Sequence, residues 1–284
     1  RFETDDVKSI ALRAKEIRWE AEKKEEEWFF NKPVQALAKE NKISGMLNSL
    51  SGLKAKEFVA EEKRKEEFNK FGLERPDYEI TLTLPLKNQE ITFFLHKQED
   101  KLFATSSLSS KIIEAEDVLL SDLEEEVGEL REKEVANFYS WEVNRLRLKM
   151  GKIDWELSKD EEDNWHFETP VQEEADKSKV QTFIRKIESL EAEEFIDPPL
   201  ELKDYGLDNP QAEVKIWVGE EEDKVKEITI LIGSEDKEAK KVTVKNARLD
   251  YLFRMDSAFL DEFPKDIKDW KPETEEGTEE KASK

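Results

Sequence analysis

Few side chains in this sequence could do chemistry on their own account. Cysteine is absent, which excludes thiolate nucleophiles, disulfides and Cys-ligated zinc together. His96 and His166 are the two histidines, and neither has a second ligand at metal-binding spacing. Carboxylates are the opposite case. With 70 Asp and Glu, an acid/base pair can be drawn almost anywhere, so closeness in sequence nominates none. The clusters Glu161-Glu162-Asp163 and Glu220-Glu221-Glu222-Asp223 lack the alternating ligands and central glycine of a calcium loop. They read as hairpin tips full of solvated charge. No Gly-x-Ser-x-Gly, His-Glu-x-x-His or dinucleotide fingerprint occurs. The residues therefore nominate no catalytic, cofactor-binding or metal-binding side chain, and the expectation is a protein that is not an enzyme.

Two aromatic elements and two glycine elements remain. Trp28-x-Phe30-x-x-Pro33 and Trp165-x-Phe167-x-x-Pro170 could stack on a sugar or peptide. The same residues could close a core beneath a helix, with proline ending a strand and starting a turn, and this second reading is preferred. Gly72-Leu73-x-x-Pro76 and Tyr205-Gly206-Leu207-x-x-Pro210 invite comparison with a phosphate loop. A single glycine with no Lys-Ser/Thr after it cannot cradle a phosphate. A left-handed glycine ending a short helix, with proline blocking its continuation, fits better.

These elements come in pairs because the sequence repeats. Besides the aromatic and glycine elements, Phe2 to Val7 matches Phe138 to Val143, and Ile17-Arg18-Trp19-Glu20 matches Ile153-Asp154-Trp155-Glu156. Four anchors recur in one order at an almost constant offset, so the chain is two diverged copies of one module. The modules are assigned to residues 1–136 and 137–271, followed by a disordered acidic tail over 272–284.

The elements that must position the motifs follow from periodicity. Ile43, Met46, Leu47, Leu50 and Leu53 share one helical face, as do Val180, Phe183, Ile184, Ile187 and Leu190. Tyr78, Ile80, Leu82 and Leu84 alternate with polar residues, as do Ala212, Val214, Ile216 and Val218. Ile91, Phe93 and Leu95, matched by Ile228, Ile230 and Ile232, give a second alternating run. Each copy opens with two further strands, through Ile10, Leu12, Ile17 and Trp19 or Leu146, Leu148, Ile153 and Trp155. Alternation predicts antiparallel strands with one buried face. The order per module is strand, strand, aromatic turn, helix, short helix, two or three strands, and a last helical segment (residues 117–130 and 256–263). The fold class is α+β, each module a mainly antiparallel sheet packed with an amphipathic helix.

Charge narrows the partners. A formal net charge of −23 repels phosphate backbones, so nucleic acid is not expected, and adsorption to an anionic bilayer is disfavoured. A chain that is 41% charged but 10% aromatic, with regular apolar periodicity, should fold. No apolar run is long enough to span a bilayer. Because the sequence opens at Arg1, the expectation is that an upstream segment precedes it.

Trp165-x-Phe167-x-x-Pro170, Ala175-Asp176 at a helix start, Tyr205-Gly206-Leu207-Asp208-x-Pro210 and Ile232-Gly233 resemble the bacterial family of domain of unknown function 4340. The first copy departs from the pattern, with Phe71 for Tyr, Glu74 for Asp and Leu95-His96 for Ile-Gly. The resemblance implies two tandem copies of a structural module and no established catalytic residue. It also implies an N-terminal membrane anchor, a place outside the cytoplasm on a bacterial membrane, and proximity to components similar to a gliding-motility ABC transporter. The expected role is a binding or scaffold protein with protein partners in a membrane complex. The alternative is a glycan- or peptide-binding protein using the space between modules. Trp141, Trp217 and Trp270 on one concave surface would favour the alternative; burial would favour the scaffold.

Overall fold

The computed structural model describes residues 2–116, 120–219 and 225–272. The chain divides into two compact units, Arg1–Glu132 and Lys133–Lys284. The division falls ahead of residue 136 for a local reason. Lys133–Val135 pair by backbone with the residues after the second unit's long helix: Val135 N–H donates to Leu190 O (2.9 Å) and Ala192 N–H to Lys133 O (2.7 Å). The expected tail lies outside the described residues from 273 onward.

In the first unit, β1 (Ser9–Ala14), β2 (Ile17–Lys24), β3 (Glu27–Lys32) and the two-residue β4 (Ala36–Leu37) run from the middle of the sheet to one edge. Helix α1 (Glu40–Ser51) then carries the chain to β5 (Ala55–Ala60), which lies at the opposite edge. Helix α2 (Lys65–Lys70) leads back to β6 (Tyr78–Leu84) beside β1. From there β7 (Gln89–Gln98), β8 (Lys101–Ser106) and β9 (Ile112–Ala115) extend outward until β9 meets β5. The short helices α3 (Leu120–Leu123) and α4 (Val127–Leu130) close the unit. All nine strands pair antiparallel, in the order β4-β3-β2-β1-β6-β7-β8-β9-β5.

The second unit repeats this order. It contains β10 (Val143–Met150), β11 (Ile153–Lys159), β12 (Trp165–Thr169), β13 (Glu173–Glu174), α5 (Lys177–Glu188) and β14 (Glu194–Ile196). After a 3-10 turn at Leu202–Tyr205 follow β15 (Ala212–Val218), β16 (Lys226–Asp236), β17 (Lys241–Asn246) and β18 (Leu252–Asp256). The sheet order, β13-β12-β11-β10-β15-β16-β17-β18-β14, corresponds strand for strand to the first. Sheets dominate each unit, so α+β describes the fold only loosely: it is two nine-stranded antiparallel sheets with few helices.

Period-two burial explains the central strands. In β6, Tyr78, Ile80, Leu82 and Leu84 are buried, while Glu79, Thr81 and Thr83 turn to the other face. Ile43, Met46, Leu47 and Leu50 of α1 share one core with Trp19, Trp28, Phe30 and these strand residues. Each such side chain removed from water contributes about 1.5–3 kcal/mol. Of the last segments expected to be helical, 256–263 holds a 3-10 helix at Ser257–Glu262, and 117–130 holds α3 and α4, its residues 117–119 lying outside the described residues.

The aromatic element is not a turn. Trp28 and Phe30 lie in β3, and Trp165 and Phe167 in β12; the turn comes after each strand, at exposed Pro33 and Pro170, whose peptide bonds are cis. Alternation puts Trp and Phe on the core face together. Trp19 meets Phe30 edge-on at 5.5 Å, and Trp155 meets Phe167 at 5.8 Å. In the second unit the contacts continue from Trp155 through Trp270 to Phe183 of α5, tying sheet to helix. Truncating the fully buried Trp165 to Ala should therefore cost about 3–5 kcal/mol in denaturant unfolding. The Asp176 carboxylate caps α5 by accepting from the Ser178 and Lys179 amides, so Asp176→Ala should cost about 1 kcal/mol in the same assay.

Candidate functional site

The glycine elements seal the sheet from its second face. Gly72 and Gly206 have φ of 70° and 67°, the left-handed region that glycine adopts without penalty. Leu73 N–H then returns to Phe68 O and Leu207 N–H to Leu202 O, each at 2.9 Å, and both leucines are buried. Leu73 joins Phe71, Phe103 and Ile112 in a smaller core, with Phe68 and Phe94 packed against it. A Cβ on Gly72 would lie 2.0 Å from the His96 ring, and one on Gly206 2.0 Å from Ser234 Oγ. Pro76 and Pro210 are half-buried just before β6 and β15, and Tyr205 is half-buried beside its glycine. All thirteen motif residues thus serve strands, turns and cores, and none of them lines either of the two clefts described below.

The histidines sit apart in the fold. His96, in β7, has Nδ1 3.0 Å from Asp77 Oδ2, an ion-pair distance without hydrogen-bond alignment. His166, in β12, has Nε2 2.8 Å from Asp160 Oδ2. The Asp160 carboxylate also accepts from the backbone N–H groups of Asn164 and Glu162. Those contacts, the Asn164 amide first and the His166 ring second, hold its pKa down to about 2. Among the described residues, no group of three or more His, Asp or Glu is placed to hold a metal ion. The cluster at Glu220–Asp223 lies outside the described residues.

The three tryptophans that could have marked a ligand surface do not share one. Trp270 is core. Trp217 is half-buried, with the Arg145 guanidinium 4.8 Å over its ring. Trp141 is 65% exposed and stacks at 4.4 Å on Tyr139, itself 53% exposed. In the sequence this stack is signalled only by an aromatic-x-aromatic spacing ahead of a strand.

Two clefts lie apart from these residues. In the first unit, Phe2, Leu53, Phe93, Ser106 and Leu108 line a cleft of about 160 Å³ at the end of α1 and the β8–β9 turn. In the second unit, Ala136, Thr229, Asn246 and Arg248 line one of about 90 Å³ at the β16–β17 side. Neither was legible beforehand, because the lining comes from element ends far apart in sequence.

The family described as domain of unknown function (DUF4340) matches residues 28–200, more than half of the chain. The chain belongs to this family. The DUF4340 match is one continuous span that begins at Trp28, in the first unit, and ends in the second, rather than one match per unit. No curated protein and no solved structure matches this DUF4340 chain.

The Asp160 environment yields a pH prediction. A carboxyl depressed in the folded state stabilises it fully above the unfolded value of about 3.9, and that contribution is lost as pH falls through about 2. Carbon-detected titration should place Asp160 near 2, and in Asp160→Asn the β11–β12 hairpin should lose this acid response.

Proposed function

We propose that this protein is a non-enzymatic binding or scaffold protein whose two modules present surfaces to protein partners in a membrane complex. The observation that carries the reading is that the residues repeated between the copies are used up in building the fold. Trp28, Phe30, Leu73, Trp165, Phe167 and Leu207 are buried, and the remaining motif glycines and prolines shape turns. Duplicating such a module adds binding surface without adding chemistry. Membrane attachment on the extracytoplasmic side, beside transporter components, is part of the proposal on the family resemblance. Among the described residues no helix is long and apolar enough to cross a membrane, so attachment would come from outside them. The net charge of −23 would keep the modules off anionic headgroups.

A second reading, a glycan- or peptide-binding protein, draws on the exposed Tyr139–Trp141 stack, a flat aromatic platform. Pull-down of the full-length protein from its native membrane in mild detergent, with mass spectrometry of what co-purifies, separates the two. Near-stoichiometric recovery of transporter or envelope-complex subunits is the expected result. A partner-free protein would overturn the scaffold reading and move the weight to a soluble ligand at the aromatic platform.

A further inference from the structure

We propose that Tyr139 and Trp141 form a docking platform for an arginine side chain of a protein partner. The proposal rests on the scaffold reading above, for which it names the partner's chemistry.

The fold does not call for aromatic rings at this place. Tyr139 opens, and Trp141 lies within, the 3-10 turn Ser140–Glu142 that leads into β10. The first unit has the same turn at Thr4–Asp6, ahead of β1. There Asp6 N–H donates to Glu3 O at 3.2 Å, as Glu142 N–H does to Tyr139 O at 2.9 Å. Tyr139 thus corresponds to Glu3 and Trp141 to Asp5, and both of those acids are exposed. The turn accepts charge at either position. In the second unit two large rings stand in water there instead, stacked at 4.4 Å with their planes 13° apart. Exposed tyrosine and tryptophan of this kind belong to contact surfaces.

The turn is pinned from three elements. Ser140 N–H donates to Glu188 Oε1 at 3.2 Å, and Ser140 O accepts from Gln181 Nε2 at 3.1 Å, both on α5. Trp141 O accepts from Lys159 Nζ at 3.4 Å in β11, and Glu142 O from Gly219 N–H at 3.2 Å after β15. A platform fixed in advance loses little freedom when a partner arrives.

Charge selects the occupant. Phe58, the other aromatic ring more than half exposed among the described residues, has Lys111 Nζ 4.7 Å over it. Half-buried Trp217 has Arg145 in the same position. Among the described residues no cation lies over Tyr139 or Trp141. The faces of Trp and Tyr attract cations, and a planar guanidinium can lie flat on them. Around the turn Glu142, Glu188 and Asp163 stand against Lys159 and Arg185. Lys159 is 3.5 Å from Asp163, and exposed Arg185 shares a face of α5 with Gln181 and Glu188. The local balance is acidic, in a chain whose net charge of −23 steers cationic partners toward it. Exposed Glu142, next to Trp141, is the carboxylate to pair with the docked guanidinium.

The test titrates the whole chain at physiological ionic strength with the peptide acetyl-Gly-Arg-Gly-Arg-Gly-amide, following indole and backbone N–H resonances. The neutral citrulline version of the peptide and cellotetraose are titrated alongside. Saturable shifts centred on residues 139–142 are expected with the arginine peptide, at least about threefold tighter than with the citrulline peptide. Tyr139→Glu combined with Trp141→Asp gives the turn the first unit's residues. It should leave the unfolding midpoint unchanged and abolish those shifts, although it adds negative charge. Equal binding of the citrulline peptide, shifts at the turn with cellotetraose alone, or undiminished arginine-peptide binding by the double variant would overturn the proposal. Native-membrane pull-down with the double variant separates this outcome from failure of the scaffold reading. Loss of partners that the unaltered protein retains is expected. Partners recovered equally from both would overturn the platform and leave the scaffold reading standing; partners from neither would overturn the scaffold reading, with the peptide titration still deciding the platform.

Discussion

Each unit depends on one helix having to cover one face of a sheet while carrying the chain from one edge to the other. β4 and β5 lie at opposite edges, and α1 connects them; β13, α5 and β14 do the same in the second unit. A nine-stranded antiparallel sheet whose core face is lined by Trp, Phe, Ile and Leu cannot leave that face in water. The stripe of Ile43, Met46, Leu47 and Leu50, or of Val180, Phe183, Ile184 and Ile187, is what covers it. The Trp–Phe edge contacts, the backbone bonds from Ala38 and Ala175 to the carbonyls of Trp28 and Trp165, and those from Lys39 and Asp176 to Leu130 and Trp270, fix where the helix begins. Because the last contact comes from the end of each unit, the crossing is locked only when the unit is complete.

The two units reach this geometry with different side chains. α5 has a carboxylate N-cap at Asp176, whereas Lys39 supplies no side-chain cap to α1. Trp270 fills with a ring the place where the first unit has Leu130. At the glycine element, the second copy has a bulge between Ile232 and Glu235 that brings Gly233 and Ser234 against Tyr205 and Gly206, whereas in the first the His96 ring lies over Gly72. Where the first unit has Phe71 and Leu95-His96 and the second has Tyr205 and Ile232-Gly233, the difference thus falls at one packing contact.

Much of this was legible in the sequence where burial is periodic. The helices α1 and α5 and the strands β1, β2, β6, β7 and their counterparts follow directly from spacings of 3.6 and two. The outermost strands were not legible: β5 is mostly exposed and β14 is three residues long, and backbone pairing to β9 and β18 holds them without an apolar pattern. The proline after the Trp-x-Phe element points to a turn, but the alternation of Trp and Phe has the period of a strand, and the strand prevails. The repeat boundary at 136 differs from the unit boundary after Glu132 because Lys133–Val135 are recruited by hydrogen bonds that no sequence spacing announces. The clefts are hidden because element ends far apart in sequence line them.

The central claim is that each unit builds a complete core of its own. Producing residues 1–132 alone and recording an amide correlation spectrum tests it most directly. A dispersed, strand-rich spectrum with cooperative denaturant unfolding is the predicted result; a collapsed spectrum of a largely unfolded chain would contradict it.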